Sequence, residues 1–397
     1  MSGAVLLTGA TGFLGMDALA RLIERGGEDD QIAVLIRARD DAGAQQRLRE
    51  LLARLYDEPP AAARRVRVVR GDLLEPGIGL SASDRRWLID SVERIVHCAA
   101  SISFELPLEE AREINVRGVE RMLELARAIA DGGALRRLVH VSTAYVSGRH
   151  AGEFCENDLD VGQEFRNTYE RSKHEAERLL RDADDLPLAV ARPSIVVGHS
   201  ASGWTSAFNV LYWPMRAFER GLLAEVPARA DSIVDFVPVD YVTDGILALL
   251  DDDAASGTYN LVAGDDALSA GELVQLHSAV TGREPVHFVA QGDGKGDGAG
   301  AGGVPAGGES FVPYFDVRCR FGDQRARELL ARAGVVRPDP QEYLARLIAY
   351  ARASAWGKRG MTREAAFSAI DGRAPVAGDA LVEREARGSS SSLASAV

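Results

Sequence analysis

Short apolar runs alternate along this chain with longer stretches whose apolar positions recur every three or four residues. The short runs fall at 4–7, 31–36, 66–69, 94–98, 137–142 and 188–191 and read as buried strands. The helical period appears at 16–22, at 45–52, in a short stretch from about 83, at 106–130 as one long helix, and at 169–180. Strand followed by helix, repeated with short connections, builds parallel βαβ units. The pattern therefore predicts an α/β protein with a Rossmann-type, doubly wound parallel sheet. Beyond residue 199 the alternation loosens, with strands expected at 232–237 and 258–262. Helices are expected up to 250, at 270–280, 324–333 and 341–355, with Pro338 marking a break.

The first strand runs into Thr8-Gly9-Ala10-Thr11-Gly12-Phe13-Leu14-Gly15, where three glycines stand three apart before a helix begins. A tight turn needs a residue free to take positive φ, and a phosphate needs backbone N–H groups with no Cβ in the way. A new helix aims its unpaired N–H groups and positive dipole end at that place. Gly9, Thr11, Gly12, Phe13, Leu14 and Gly15 are thus expected to hold a dinucleotide pyrophosphate. The alternative is an ordinary glycine-rich turn.

The end of the second strand is where a Rossmann fold meets the adenosine ribose. An acidic residue there would accept from the free 2′-hydroxyl of NAD, but the strand ends in Arg37-Ala38-Arg39. A planar guanidinium suits the 2′-phosphate of NADP, so Arg37, with Arg47 as a second clamp, predicts NADPH. Asp40 and Asp41 argue the other way, since either could serve an NAD ribose. After the third strand, Asp72 in Gly71-Asp72-Leu73 is placed to accept from the adenine amino group, or simply to cap a turn. The fourth strand ends in Ala99-Ala100, small enough for a cofactor to lie against the backbone. His97 reads as core filler and Asn115, unfavourable in mid-helix, as a group bonding a neighbouring loop.

Tyr169 and Lys173 stand four apart and share a helix face. The chain contains three lysines, and the others, Lys295 and Lys358, lie in a glycine-rich stretch and near the tail. A phenol with a pKa near 10 is a poor acid–base group at neutral pH; an adjacent ammonium lowers it by favouring the phenolate. A hydroxyl from Thr143, at the end of the fifth strand, can hold a substrate oxygen beside the phenol.

Composition narrows the partners. The chain has 397 residues and a formal charge of −13, which disfavours nucleic acid and anionic membrane. No apolar run approaches the roughly eighteen residues of a membrane span. The start lacks a basic segment before an apolar one, so no signal peptide is expected. Cys98, Cys155 and Cys319 have no metal-ligand spacing, and the expected compartment is the reducing cytoplasm.

These motifs together resemble the extended short-chain dehydrogenase/reductases, and within them the thioester reductase and fatty acyl-CoA reductase branch. The glycine motif and Tyr-x-x-x-Lys belong to the whole superfamily. More selective are Gly71-Asp72-Leu73-Leu74-Glu75-Pro76-Gly77-Ile78-Gly79-Leu80 and Ser101-Ile102-Ser103-Phe104, with Val141-Ser142-Thr143-Ala144-Tyr145. The resemblance covers about residues 4–250, and more weakly 314–359. It implies a Thr143, Tyr169, Lys173 triad, with Ser142 as the alternative hydroxyl, and nicotinamide-side contacts near Pro193, Ser194 and Ile195.

The expected organisation is an NADP-binding domain over 1–198 and a smaller, mainly substrate-binding lobe over 199–359, some of whose segments return to the sheet. A glycine-rich flexible loop is expected at 291–309 and a disordered tail at 360–397. Trp204, Phe208, Tyr212, Trp213 and Phe218 read either as core or as the wall of an apolar acyl pocket. The resulting expectation is an NADPH-dependent reductase of a small-molecule acyl thioester, a CoA ester or one presented by an acyl carrier protein. The alternatives are a nucleotide-sugar epimerase or dehydratase, a hydroxysteroid dehydrogenase, or a nonenzymatic NADPH sensor. No carrier or adenylation segment is visible, so the acyl donor is expected from elsewhere.

Overall fold

The computed structural model describes residues 3–27, 29–133, 135–208, 210–222, 225–226, 228–289, 314 and 316–371. Its centre is a seven-stranded parallel sheet. In chain order the elements are β1 (Ala4–Thr8), α1 (Phe13–Arg25), β2 (Ile32–Ile36), α2 (Asp41–Leu55), β3 (Val66–Arg70), α3 (Ala82–Ser91) and β4 (Val92–His97). There follow α4 (Leu108–Arg112), α5 (Gly118–Asp131), β5 (Arg137–Val141), β6 (Gly152–Phe154), α6 (Thr168–Arg181), β7 (Leu188–Pro193), β8 (Ile195–Val197) and α7 (Tyr212–Glu219). Three short strands, β9 (Glu225–Val226), β10 (Ile233–Val234) and β11 (Phe236–Pro238), precede α8 (Val239–Asp251) and β12 (Gly257–Leu261). The last helices are α9 (Ala270–Thr281), α10 (Gln324–Arg332), α11 (Pro340–Ala353) and α12 (Arg363–Asp371).

The sheet order is β12-β7-β5-β4-β1-β2-β3. It reverses direction between β1 and β4, which opens a crevice at the carboxyl ends of those strands. Alternation along each strand divides the core. Leu7, Val34, Val96 and Val139 pack with α1, α2 and α8 on one face, and Leu6, Ala33, Ile95 and Leu138 with α3, α5 and α6 on the other. β12 and α8 come from beyond residue 199 and complete this sheet and its cover, so that part of the chain is not a separate lobe throughout.

Two expectations need correction. The helix over 106–130 is interrupted: α4 and α5 are joined by a wider π-type turn at Glu113–Arg117. Asn115 sits in that turn and is fully engaged. Its Oδ1 accepts from Ser101 N at 2.8 Å, and its Nδ2 donates to Ser101 O at 3.0 Å and Ser172 Oγ at 2.9 Å. The side chain thus trades regular helix geometry for three bonds to the loop after β4 and to α6. The disordered tail is also corrected at its start, because α12 lies within it. Arg363 and Ala366 are buried there, and an ion pair to α1 supplies what the weak apolar pattern lacked. The glycine-rich stretch 291–309 and residues 372–397 lie outside the described residues.

Candidate active site

The glycine turn divides its work among three positions. Gly9 takes φ +74°, and a Cβ on it would stand 2.6 Å from Ala99 N. A Cβ on Gly15 would stand 2.3 Å from Gly9 O, so that glycine lets α1 pack on the turn. Gly12, the residue before α1, has extended backbone and meets nothing closer than Gly9 O at 3.3 Å. Its bare Cα therefore faces open space at the helix's positive end, a cradle a side chain would fill. No acidic residue stands in the first turn of α1 to compete with an anion.

Two cavities of about 470 Å³ each meet at this turn and share Gly9, Thr11, Gly12, Cys98 and Ala100. Arg37, Arg47, Asp72, Leu73 and Ala99 line the first. Phe13, Leu14, Gly15, Thr143, Tyr169, Lys173, Pro193, Ser194 and Ile195 line the second. Every catalytic and cofactor-binding residue expected from the sequence thus lines one or other of these adjoining cavities. Cys98 is only partly buried, and desolvation pushes its thiol up to about 12.

On the adenosine side, the two acids that spoke for NAD are committed elsewhere. Asp40 caps α2 by accepting from Gly43 N at 2.7 Å, and Asp41 pairs with Arg70 at 2.9 Å. Arg47 donates to the Arg37 carbonyl. Asp72 lines the first cavity, and its Oδ1 caps the local turn by accepting from Leu74 N at 3.0 Å. Its own N–H donates to Ile78 O at 2.8 Å. Ile78 is held left-handed at φ +62° and buried, so local strain of about 1–2 kcal/mol is offset by burying its side chain.

On the chemical side, Asn167 caps α6 by accepting from Glu170 N at 2.9 Å, which sets Tyr169 and Lys173 in the first turns of a well-formed helix. Burial raises the Tyr169 phenol to about 12, against the downward pull of the Thr143 hydroxyl. Lys173 is not among the groups that shift this phenol. The ammonium is turned to β5, donating to Val141 O at 2.8 Å and lying 3.2 Å from His140 Nε2. Its own pKa is lowered to about 8 by burial, with Glu177 and Cys98 pulling it back up. Thr143 Oγ1 accepts from Tyr145 N at 3.2 Å and donates to Pro193 O at 3.4 Å. Ser142 lines the same cavity and its Oγ is buried without a partner, whereas Thr143 Oγ1 is bonded on both sides.

The rest of the second cavity is an aromatic wall. Phe104 lies 5.9 Å from Tyr169 and 5.4 Å from Tyr314, and Tyr145 lies 5.3 Å from Tyr314, centroid to centroid. Asn167 Nδ2 donates to the Tyr314 hydroxyl at 2.9 Å. Tyr314 was visible in the sequence only as the start of a weak resemblance. The aromatic cluster after residue 199 turns out to be mostly core, with Trp204, Tyr212 and Phe218 buried. Ser206, Ala207 and Val210 from that stretch are the residues that reach the cavity. His97 is more than filler, bonding Thr8 within a buried polar row that includes His140.

Fold and site define an extended short-chain dehydrogenase/reductase. Residues 7–246 match the NAD-binding family described as Male sterility protein, and the chain belongs to that family. It is 31% identical over 279 residues to fatty acyl-CoA reductase 1 of Homo sapiens, covering 62% of this chain and 53% of the relative. It is 30% identical over 278 residues to fatty acyl-CoA reductase wat of Drosophila melanogaster, with shares of 62% and 53%. The chain thus spans about half the length of the curated relatives it matches. Among solved structures, the terminal R domain from the myxalamid PKS-NRPS biosynthetic pathway superposes with a TM-score of 0.74 at 24% identity, covering 91% of this chain and 93% of that one. MoeE5 in complex with UDP-glucose and NAD superposes with a TM-score of 0.61 at 22% identity, with 89% and 100% covered. These structural likenesses establish the fold. Glycine turn and family together make a nicotinamide dinucleotide the cofactor of this site. Among the described residues no helix is long and apolar enough to cross a membrane.

Proposed function

We propose that this chain reduces acyl thioesters with NADPH. The observation that carries the reading is a Thr143–Tyr169–Lys173 group at the foot of an aromatic cavity that opens directly onto the glycine turn. The relatives named fatty acyl-CoA reductases point to the same substrate class. NADPH rather than NADH is favoured by Arg37 and Arg47 on the adenosine side and by the engagement of Asp40 and Asp41.

Reduced nicotinamide supplies hydride when bound along Pro193, Ser194 and Ile195. The chain's own residues do the rest. Phe104, Tyr145 and Tyr314 take the acyl group and exclude water from it. The hydroxyls of Thr143 and Tyr169 donate to the carbonyl oxygen as it gains negative charge, the Thr143 proton leaving its long bond to Pro193 O to do so. Tyr169 gives up its proton to that oxygen. Its high pKa makes it a competent acid but a costly anion, and the one Lys173 proton not held by β5 is the charge available to offset that cost. Collapse of the hemithioacetal expels a thiol and leaves an aldehyde.

The test follows NADPH absorbance against acyl-CoAs, acyl carrier proteins, UDP-sugars and sterols. Oxidation with a thioester is expected. Turnover of a UDP-sugar or sterol with none on any thioester would replace this reading.

A further inference from the structure

Thr8 on β1, His97 on β4 and His140 on β5 are register partners on neighbouring parallel strands. All three are buried. They share a face with Leu6, Ile95 and Leu138, two residues earlier on the same strands. An apolar layer therefore gives way to a polar one just below the cofactor turn. Each imidazole has one partnered nitrogen and one, His97 Nε2 and His140 Nδ1, buried without a partner, a cost that valine in the same place would avoid. Thr8 Oγ1 accepts from Ala99 N at 3.3 Å and lies 2.7 Å from His97 Nδ1. At the other end of the row, His140 Nε2 lies 3.2 Å from Lys173 Nζ. An ammonium only donates, so His140 Nε2 must be the unprotonated nitrogen and the ring proton sits on Nδ1. Val141 O takes a second ammonium proton at 2.8 Å. The third is left for the cavity that Lys173 lines.

We propose that His140 is the positioning residue for Lys173: its unprotonated Nε2 accepts one ammonium proton, and with Val141 O it fixes the head so that one donor remains for the active site. The inference rests on the reading of Lys173 as a working group of that site. The charged and titratable groups around the ammonium are His97 at the end of β4 and Cys98 just after it, His140 from β5, and Tyr169 and Glu177 on either side of it along α6. Glu177 is itself held by Arg192 of β7. Burial keeps both imidazoles neutral, His140 well below its usual range and His97 at about 3. An acceptor therefore faces the lysine throughout the working pH range.

The experiment compares His140→Leu with His140→Gln, whose side-chain carbonyl can also accept. Leucine leaves a buried ammonium short of a partner and eases its deprotonation. The alkaline limb of kcat should move down by about one pH unit, with a smaller change in KM for NADPH, and glutamine should restore the limb. A lower melting temperature for His140→Leu with the limb unmoved is the signature of a merely structural histidine and overturns the proposal. Histidine ¹⁵N NMR of the wild-type protein is independent of how the variants fold. The Nδ1–H tautomer of His140 is expected at pH 7–8, and the Nε2–H tautomer overturns the proposal as well. Lys173→Met separates the two levels: full activity in that variant removes the role of the lysine itself, whereas loss of activity there with an unmoved His140→Leu limb removes only the role of His140.

Discussion

Arg363 Nε lies 3.0 Å from Asp17 Oδ1, with both side chains almost wholly buried, and Arg363 Nη1 reaches Glu24 at 2.6 Å. The last described helix is thereby pinned to α1, the helix that opens at the glycine turn. Trp204 adds a second tie, donating from Nε1 to Met361 O at 3.3 Å while packing on Phe13 at 6.0 Å. Removing one partner of a buried ion pair leaves the other uncompensated, which typically costs about 3–5 kcal/mol. Arg363→Ala is therefore expected to lower the urea midpoint by a corresponding amount without changing the slope. An unchanged midpoint would show that α12 contributes nothing to the fold.

The glycines of the turn should separate into two kinds. Gly12→Ala adds a methyl that meets only Gly9 O at 3.3 Å, so the fold should survive while affinity for NADPH falls. In Gly15→Ala the methyl would run into the Gly9 backbone at 2.3 Å, and stability should drop as well. Circular dichroism melts beside cofactor titrations check this; the expectation fails if both variants melt alike.

Cofactor choice should reside largely in Arg37. A charge-assisted bond to a 2′-phosphate is worth roughly 1.5–3 kcal/mol, about ten- to a hundredfold in affinity. Wild type should prefer NADPH, and Arg37→Ala should lose most of that preference while binding NADH about as before. Equal affinities in the wild type would count against the NADPH assignment.

Tyr169→Phe keeps the ring that faces Phe104 and removes only the proton donor. General acid–base catalysis typically contributes about 10²–10⁴-fold, so kcat should fall by that order with NADPH binding retained. Full activity on the best thioester would rule out the mechanism.

His97 should make the protein acid-sensitive. Its folded pKa is lowered to about 3 by burial and by the nearby Lys173 charge, so between pH 6.5 and 3 the unfolded chain binds a proton that the native one does not. Stability then rises with pH across this window and is lost as pH falls. By pH 4.5 the loss from His97 alone is roughly 2–3 kcal/mol. Urea midpoints at pH 7 and 4.5 should differ less in His97→Asn than in wild type; an equal difference in both would show that His97 does not carry the effect.

The sequence by itself determined what depends on near neighbours. Apolar periodicity set the strands and helices of the sheet, because burial on one face imposes a period on any element. The glycine spacing announced the cofactor turn, because φ +74° at Gly9 and the close approach of Gly15 to its backbone tolerate no side chain. Helical spacing put Tyr169 and Lys173 on one face. The tertiary structure alone decided what depends on distant partners. It gave Asp41 to Arg70, and it buried Trp204, Tyr212 and Phe218 while bringing Tyr314 to the cavity. It also aligned Thr8, His97 and His140, and tied the Lys173 head to β5. A polar residue's role is set by which group the fold places within about 3 Å of it, and residues 89 positions apart in the chain, such as Thr8 and His97, carry no local pattern that declares such a neighbour.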